Sequence, residues 1–195
     1  MKTISDILFI ISNGLLIPVV LLLLYLLIRA LYIALGFYNE YITQRRITKI
    51  LKESIQDYSS EKLSEIEIGF KPFSKSIVVK CFRDLMSHRN DKIYCEHELA
   101  NYQIEVQKSL SKNRTLLKFG PMLGLMGTLI PMGPALVGLA VGDIASMAYN
   151  MQVAFATTVI GMLVAAVGLA TLQVSRRFYA RSLNDLEFLY NKMTE

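Results

Sequence analysis

Three threonines, Thr128, Thr157 and Thr158, place hydroxyls in a stretch of this sequence made otherwise of small and apolar residues. They stand in a region almost without charge: residues 119–175 contain one carboxylate, Asp143, and one phenol, Tyr149. A hydroxyl in an apolar helix can turn a lone pair towards a cation or a water. It cannot exchange a proton near neutral pH as a carboxylate or imidazole does. A proton or sodium ion crossing beside these threonines therefore needs a titrating group from another chain. The plainer role is also available. A Thr in a membrane helix commonly bonds back to a carbonyl one turn earlier and simply packs.

The residues around these hydroxyls are small. Gly120, Gly124 and Gly127 recur at spacings of three and four beside Thr128, and Gly138 and Gly142 repeat the pattern. Such stripes let a second helix backbone approach closely. Further on, Ala154, Thr158, Gly161, Ala165 and Gly168 fall on one helical face, with Thr157 on the adjacent stripe. Pro131 and Pro134 each remove a hydrogen bond in mid-helix. A membrane interior tolerates the freed carbonyls only where they are buried in protein or face water. Small faces, hydroxyls and intramembrane prolines together point to a water-accessible interior or a partner-lined pore.

The elements that must carry these residues follow from the charge pattern. Residues 7–28, 119–142 and 144–175 contain no Asp, Glu, Lys or Arg, whereas 38–118 hold 15 basic and 11 acidic residues. Each charge-free block exceeds the roughly 20 residues that a helix needs to cross a hydrocarbon core of about 30 Å. The fold class is an all-α membrane protein with three transmembrane helices and long cytosolic helical extensions. Four regions are expected: an N-terminal transmembrane helix over 1–37, a cytosolic helical domain over 38–118, a membrane hairpin over 119–175, and a cytosolic C-terminal helix over 176–195. Pro18 predicts a mild kink in the first span, and Tyr25, Tyr32, Phe37, Tyr38 and Tyr41 read as interfacial aromatics. The first span has no small-residue cleavage site and is too long for a signal peptide, so it reads as a retained anchor.

Orientation follows from the basic residues. Arg45, Arg46, Lys49 and Lys52 follow the first span, and Lys108, Lys112, Arg114 and Lys118 precede the second. Arg176, Arg177 and Arg181 follow the third, while the turn between the second and third has only Asp143. This places the N-terminus outside, with the central block and C-terminus in the cytosol. The net charge of +5 then reflects topology and lipid headgroups, not nucleic acid. Within the central block, 41–58, 75–86 and 93–118 read as helices, and 59–73 as a connector broken by Gly69 and Pro72.

GPMLGLMGT (Gly120–Thr128) and AFATTVIGM (Ala154–Met162) resemble the second- and third-helix motifs of the MotA/TolQ/ExbB family of ion-channel subunits. The three-span, N-out layout with a large cytosolic loop resembles the TolQ/ExbB branch. The resemblance implies a homopentamer in the cell inner (cytoplasmic) membrane, its second and third helices lining a pore. It also implies a single-span ExbD/TolR-like subunit within the pore, carrying a membrane Asp. Ion flow would then drive rotation and pass force to an extracytoplasmic target. On this basis Thr128, Thr158 and Thr157 belong to the ion pathway. Gly120, Pro121, Gly124, Gly127, Pro131, Pro134 and Gly161 belong to helix packing and pore shape. Two departures stand out: Val153 replaces a Glu common five residues before the third-helix Thr, and the Pro131/Pro134 pair is additional.

Other chemistry has little support. Cys81, His88, Cys95 and His97 do not follow a common zinc spacing and read as ordinary helix residues, with the two cysteines as reduced thiols. There is no phosphate-binding loop, dinucleotide fingerprint or hydrolase elbow, so no enzyme and no cofactor are expected. The rival reading is a non-conducting membrane scaffold whose small-residue faces only assemble oligomers. A small secondary transporter is weaker still, because no inverted repeat or mid-membrane charge is evident.

Overall fold

The computed structural model describes residues 2–56, 76–88 and 91–194, and every element among them is an α-helix. In chain order these are α1 (Lys2–Gly14), α2 (Leu16–Gln56), α3 (Ile77–Ser87), α4 (Lys92–Ala140) and α5 (Ile144–Thr194). The expected connector over 59–73 lies outside the described residues. Three helical stretches are long and apolar enough to cross a membrane: one from Phe9 in α1 through α2, one in α4 and one in α5.

The pause between α1 and α2 has a simple cause. Pro18 has no N–H to offer the Gly14 carbonyl one turn earlier, so the regular pattern lapses. The Leu15 amide still donates to the Ile11 carbonyl at 3.1 Å, and the Val19 amide to the Leu15 carbonyl at 3.1 Å. By contrast, α4 runs unbroken through Pro121, Pro131 and Pro134. A turn at 141–143 ends it, where Gly142 has φ of +76°, a conformation open to glycine without a Cβ clash. Asp143 then caps α5: its carboxylate accepts a hydrogen bond from the Ser146 amide at 3.0 Å.

The chain forms two compact units. The first comprises Met1–Leu35 and Asn113–Thr171. Its core is built by Val19, Leu23, Leu26 and Ala30 of α2, Leu116 and Leu123 of α4, and Val164 of α5. Its outer faces remain apolar and exposed, including Ile17, Leu21 and Ile28, Leu125 and Leu129, and Phe155 and Met162. So much exposed aliphatic surface without charge fits hydrocarbon rather than water.

The second unit comprises Gly36–Lys112 and Leu172–Glu195. Here the helices are amphipathic. Ile47 of α2, Val78, Phe82 and Leu85 of α3, Leu99 and Tyr102 of α4, and Leu186 and Leu189 of α5 form one core. The short α3 shows how the sequence sets this up. Val78, Val79, Cys81, Phe82 and Leu85 fall on one face and are all buried, while Lys80 and Arg83 point outwards.

Candidate functional site

The α4–α5 hairpin of the first unit contains the residues singled out by the sequence. On α5 the buried positions are Ala154, Thr157, Gly161, Val164, Gly168 and Thr171, at alternating spacings of three and four. On α4 they include Gly120, Leu123, Gly124, Gly127, Pro131, Ala135 and Gly138. These two stripes face each other. A Cβ added to Gly161 would lie 2.6 Å from the Gly120 carbonyl oxygen and 2.9 Å from the Gly124 Cα. A Cβ on Gly120 would lie 2.7 Å from the Gly161 oxygen, and one on Gly168 would lie 2.8 Å from the Leu117 nitrogen. Backbone meets backbone here, and only glycine permits it.

Thr157 belongs to this contact. It is 4% exposed, and a Cβ on Gly127 would lie 2.6 Å from both its Cβ and its Oγ1. Thr158, the neighbour that sequence reasoning placed on the glycine face with Ala165, is only half-buried, and so is Ala165. The difference is one of helical phase. Two adjacent stripes, 154/158/161/165 and 154/157/161/164, both contain small residues, and the side facing α4 is chosen by where Gly127 leaves room. Thr128 is likewise half-buried.

All three hydroxyls bond within their own helices. Thr157 Oγ1 donates to the Ala154 carbonyl at 2.9 Å, and Thr158 Oγ1 to the same carbonyl at 3.2 Å. Thr128 Oγ1 donates to the Leu125 carbonyl at 2.7 Å. Each oxygen then retains lone pairs that can accept from water or meet a cation. Pro131, fully buried, and Pro134, half-buried, supply no amide to the Gly127 and Ile130 carbonyls one turn earlier. Gly127 thus combines a carbonyl lacking its usual donor with direct contact to Thr157. Pro121 at the start of the second apolar run is exposed.

Sequence reasoning did not single out Gly133 or Thr171. A Cβ on Gly133 would lie 3.0 Å from the Phe9 ring, which brings α1 onto α4. Thr171 is buried and donates to the Val167 carbonyl at 2.8 Å. Gly133 lies between the two mid-helix prolines, a local signal that could have marked it. Thr171 offers no comparable signal, since its burial depends on which face α4 covers.

The second unit contains two polar contacts that spacing could not reveal. Tyr102 Oη donates to the Tyr179 carbonyl at 3.3 Å, and Tyr179 Oη to Glu40 Oε1 at 3.5 Å. Burial pushes both phenols above the usual tyrosine range. The cysteines are free and buried. Burial, with Glu98 and Asp84 nearby, pushes the Cys81 thiol up to about 12, and Cys95 Sγ donates to the His88 carbonyl at 3.3 Å. Among the described residues, no group of His, Cys, Asp or Glu could hold a metal ion.

A helical chain with three apolar spans and a glycine-tight hairpin free of mid-span charge is an integral membrane protein. Residues 40–187 match the family model described as the MotA/TolQ/ExbB proton channel family, and the chain belongs to that family. No curated protein and no solved structure gives a match.

Proposed function

We propose that this protein is the channel-forming, stator-like subunit of a membrane motor driven by proton or sodium flow. The motor couples that flow to transport, envelope or motility work. The protein sits in the cytoplasmic membrane with its N-terminus outside and its C-terminus in the cytosol. The four regions bounded at 37, 118 and 175 divide the labour, with 119–175 lining the pore of a homopentamer. The observation that carries the reading is the hairpin itself. It is a glycine-tight pair of helices with hydroxyls and proline-freed carbonyls, but no titratable group at mid-span. Such a pair can shape an ion path but cannot relay a proton alone, which calls for a single-span ExbD/TolR-like partner bearing a membrane Asp.

Thr158 and Thr128, half-buried in the single chain, are the hydroxyls available to a pore between copies. Thr157 and the proline-freed Gly127 carbonyl set the polarity of the wall behind them. Native mass spectrometry of the detergent-solubilised complex, expressed with its single-span partner, tests the assembly. Five copies with a substoichiometric partner support the motor. A stable oligomer that never takes up a single-span subunit leaves the membrane without a titrating group.

One observation favours a second reading, the non-conducting scaffold. All three threonine hydroxyls are already bonded to their own helices, and Val153 stands where a Glu would titrate.

A further inference from the structure

In the second unit, α2 and α5 border an open groove of about 450 Å³ whose walls include Tyr41, Arg45, Lys49, Arg177, Phe178 and Arg181. Three guanidiniums from two helices, Arg45, Arg177 and Arg181, line it. Like charges gathered on one face repel unless an anion lies between them, at a cost that is largest at low salt. The floor is aromatic. Tyr41 and Phe178 meet edge to face with ring centroids 5.6 Å apart, and the Arg45 guanidinium lies 4.8 Å from the Tyr41 centroid.

The position of the groove in the chain narrows the anion. Val174, in its wall, and the following Ser175 are the last residues of the charge-free run 144–175. Tyr41 and Arg45 follow shortly after the apolar segment that ends with Phe37 and Tyr38. Cations and amphipathic rings at the end of an apolar span stand at the level of lipid phosphates. We propose that this groove binds the phosphate headgroup of an anionic phospholipid. The guanidiniums of Arg45 and Arg181 approach the phosphate oxygens, and Tyr41 and Phe178 lie against the glycerol and upper acyl chain. Arginine suits the task because its planar fork matches two phosphate oxygens at once.

The test is native mass spectrometry of the full-length protein in detergent, titrated with phosphatidylglycerol or phosphatidylcholine. The wild-type protein retains phosphatidylglycerol selectively. Combining Arg45→Gln with Arg181→Gln lowers that affinity about tenfold to thirtyfold, the loss expected for two cations at a lipid surface. Arg45→Lys with Arg181→Lys keeps the charge but loses the two-pronged contact, so its affinity falls between the wild type and the double Gln variant, and Arg46→Gln, outside the groove, leaves it unchanged. Circular dichroism confirms helicity in each variant. If Arg45→Gln disturbs folding through Tyr41, Arg177→Gln with Arg181→Gln reads the same charge loss. Equal retention of both lipids overturns the proposal, as does a preference unaltered in the double variant. Competition by glycerol phosphate as strong as by lipid would instead assign the groove to a free phosphate. Displacement of phosphatidylglycerol by an acidic peptide at low concentration would assign it to a protein partner.

Discussion

Gly120 and Gly161 face each other so closely that a methyl on either would strike the other's carbonyl oxygen, at 2.7 and 2.6 Å. This contact fixes how α4 and α5 approach, and with them which hydroxyls turn inwards. Its energetics can be read from substitution. Gly161→Ala should destabilise the protein by about 1–3 kcal/mol, the usual cost of overpacking a well-filled contact. Gly36→Ala, where nothing lies within 4 Å of the added Cβ, should be neutral or slightly stabilising. Thermal or SDS unfolding of the two variants in the same detergent checks the contrast.

The Thr157 hydroxyl offers a different measurement. Thr157→Val keeps the shape against Gly127 and removes one hydrogen bond to its own helix. The expected cost is below about 1 kcal/mol, because polar contacts inside membranes average little more than half of that. Thr157→Leu, which adds volume beside Gly127, should cost clearly more. Unfolding midpoints of the pair separate packing from polarity at this position.

Much of this was legible in the sequence. The blocks without charge mark the three spans, and Asp143 marks the turn between α4 and α5; Gly142, expected to pair with Gly138 on a packing stripe, instead lies in that turn with φ of +76° and nothing within 4 Å of an added Cβ. The glycines of 120–127 and Gly161 announce a close helix contact. The choice between Thr157 and Thr158 was not legible. Adjacent residues differ by about 100° around a helix, and both stripes contain small residues, so the phase depends on the facing helix. The Tyr102–Tyr179 contact joins residues 77 positions apart, and the basic groove joins Arg45 to Arg181. Local periodicity cannot report either pairing.

Cys81 gives a prediction in pH. Its thiol is pushed from 9.0 up to about 12, first by burial and then by Glu98 and Asp84. The folded state therefore favours the protonated thiol. That contribution to stability is fully present below about pH 9 and is lost as the pH rises from 9 towards 12. Iodoacetamide at pH 8 should leave Cys81 unmodified in the folded protein and label it after denaturation. Rapid labelling of the native protein would contradict its burial.

Tyr102→Phe removes the hydroxyl that donates to the Tyr179 carbonyl while keeping the ring in the core of the second unit. The expected loss is about 0.5–1.5 kcal/mol. Tyr102→Ala, which also empties a large buried volume, should lose about 3–5 kcal/mol. Denaturant unfolding of both variants, followed by far-ultraviolet circular dichroism, checks the ratio.

On the function proposed above, ions cross beside the α4–α5 hairpin when a partner supplies the titrating group. The direct measurement is proton and sodium flux into liposomes containing the complete complex, with wild-type protein and with Thr158→Val. Flux should lie well above that of protein-free liposomes and fall several-fold in Thr158→Val while the complex stays assembled. A correctly assembled complex with its single-span partner that passes neither ion would contradict that function, and the scaffold reading would take its place.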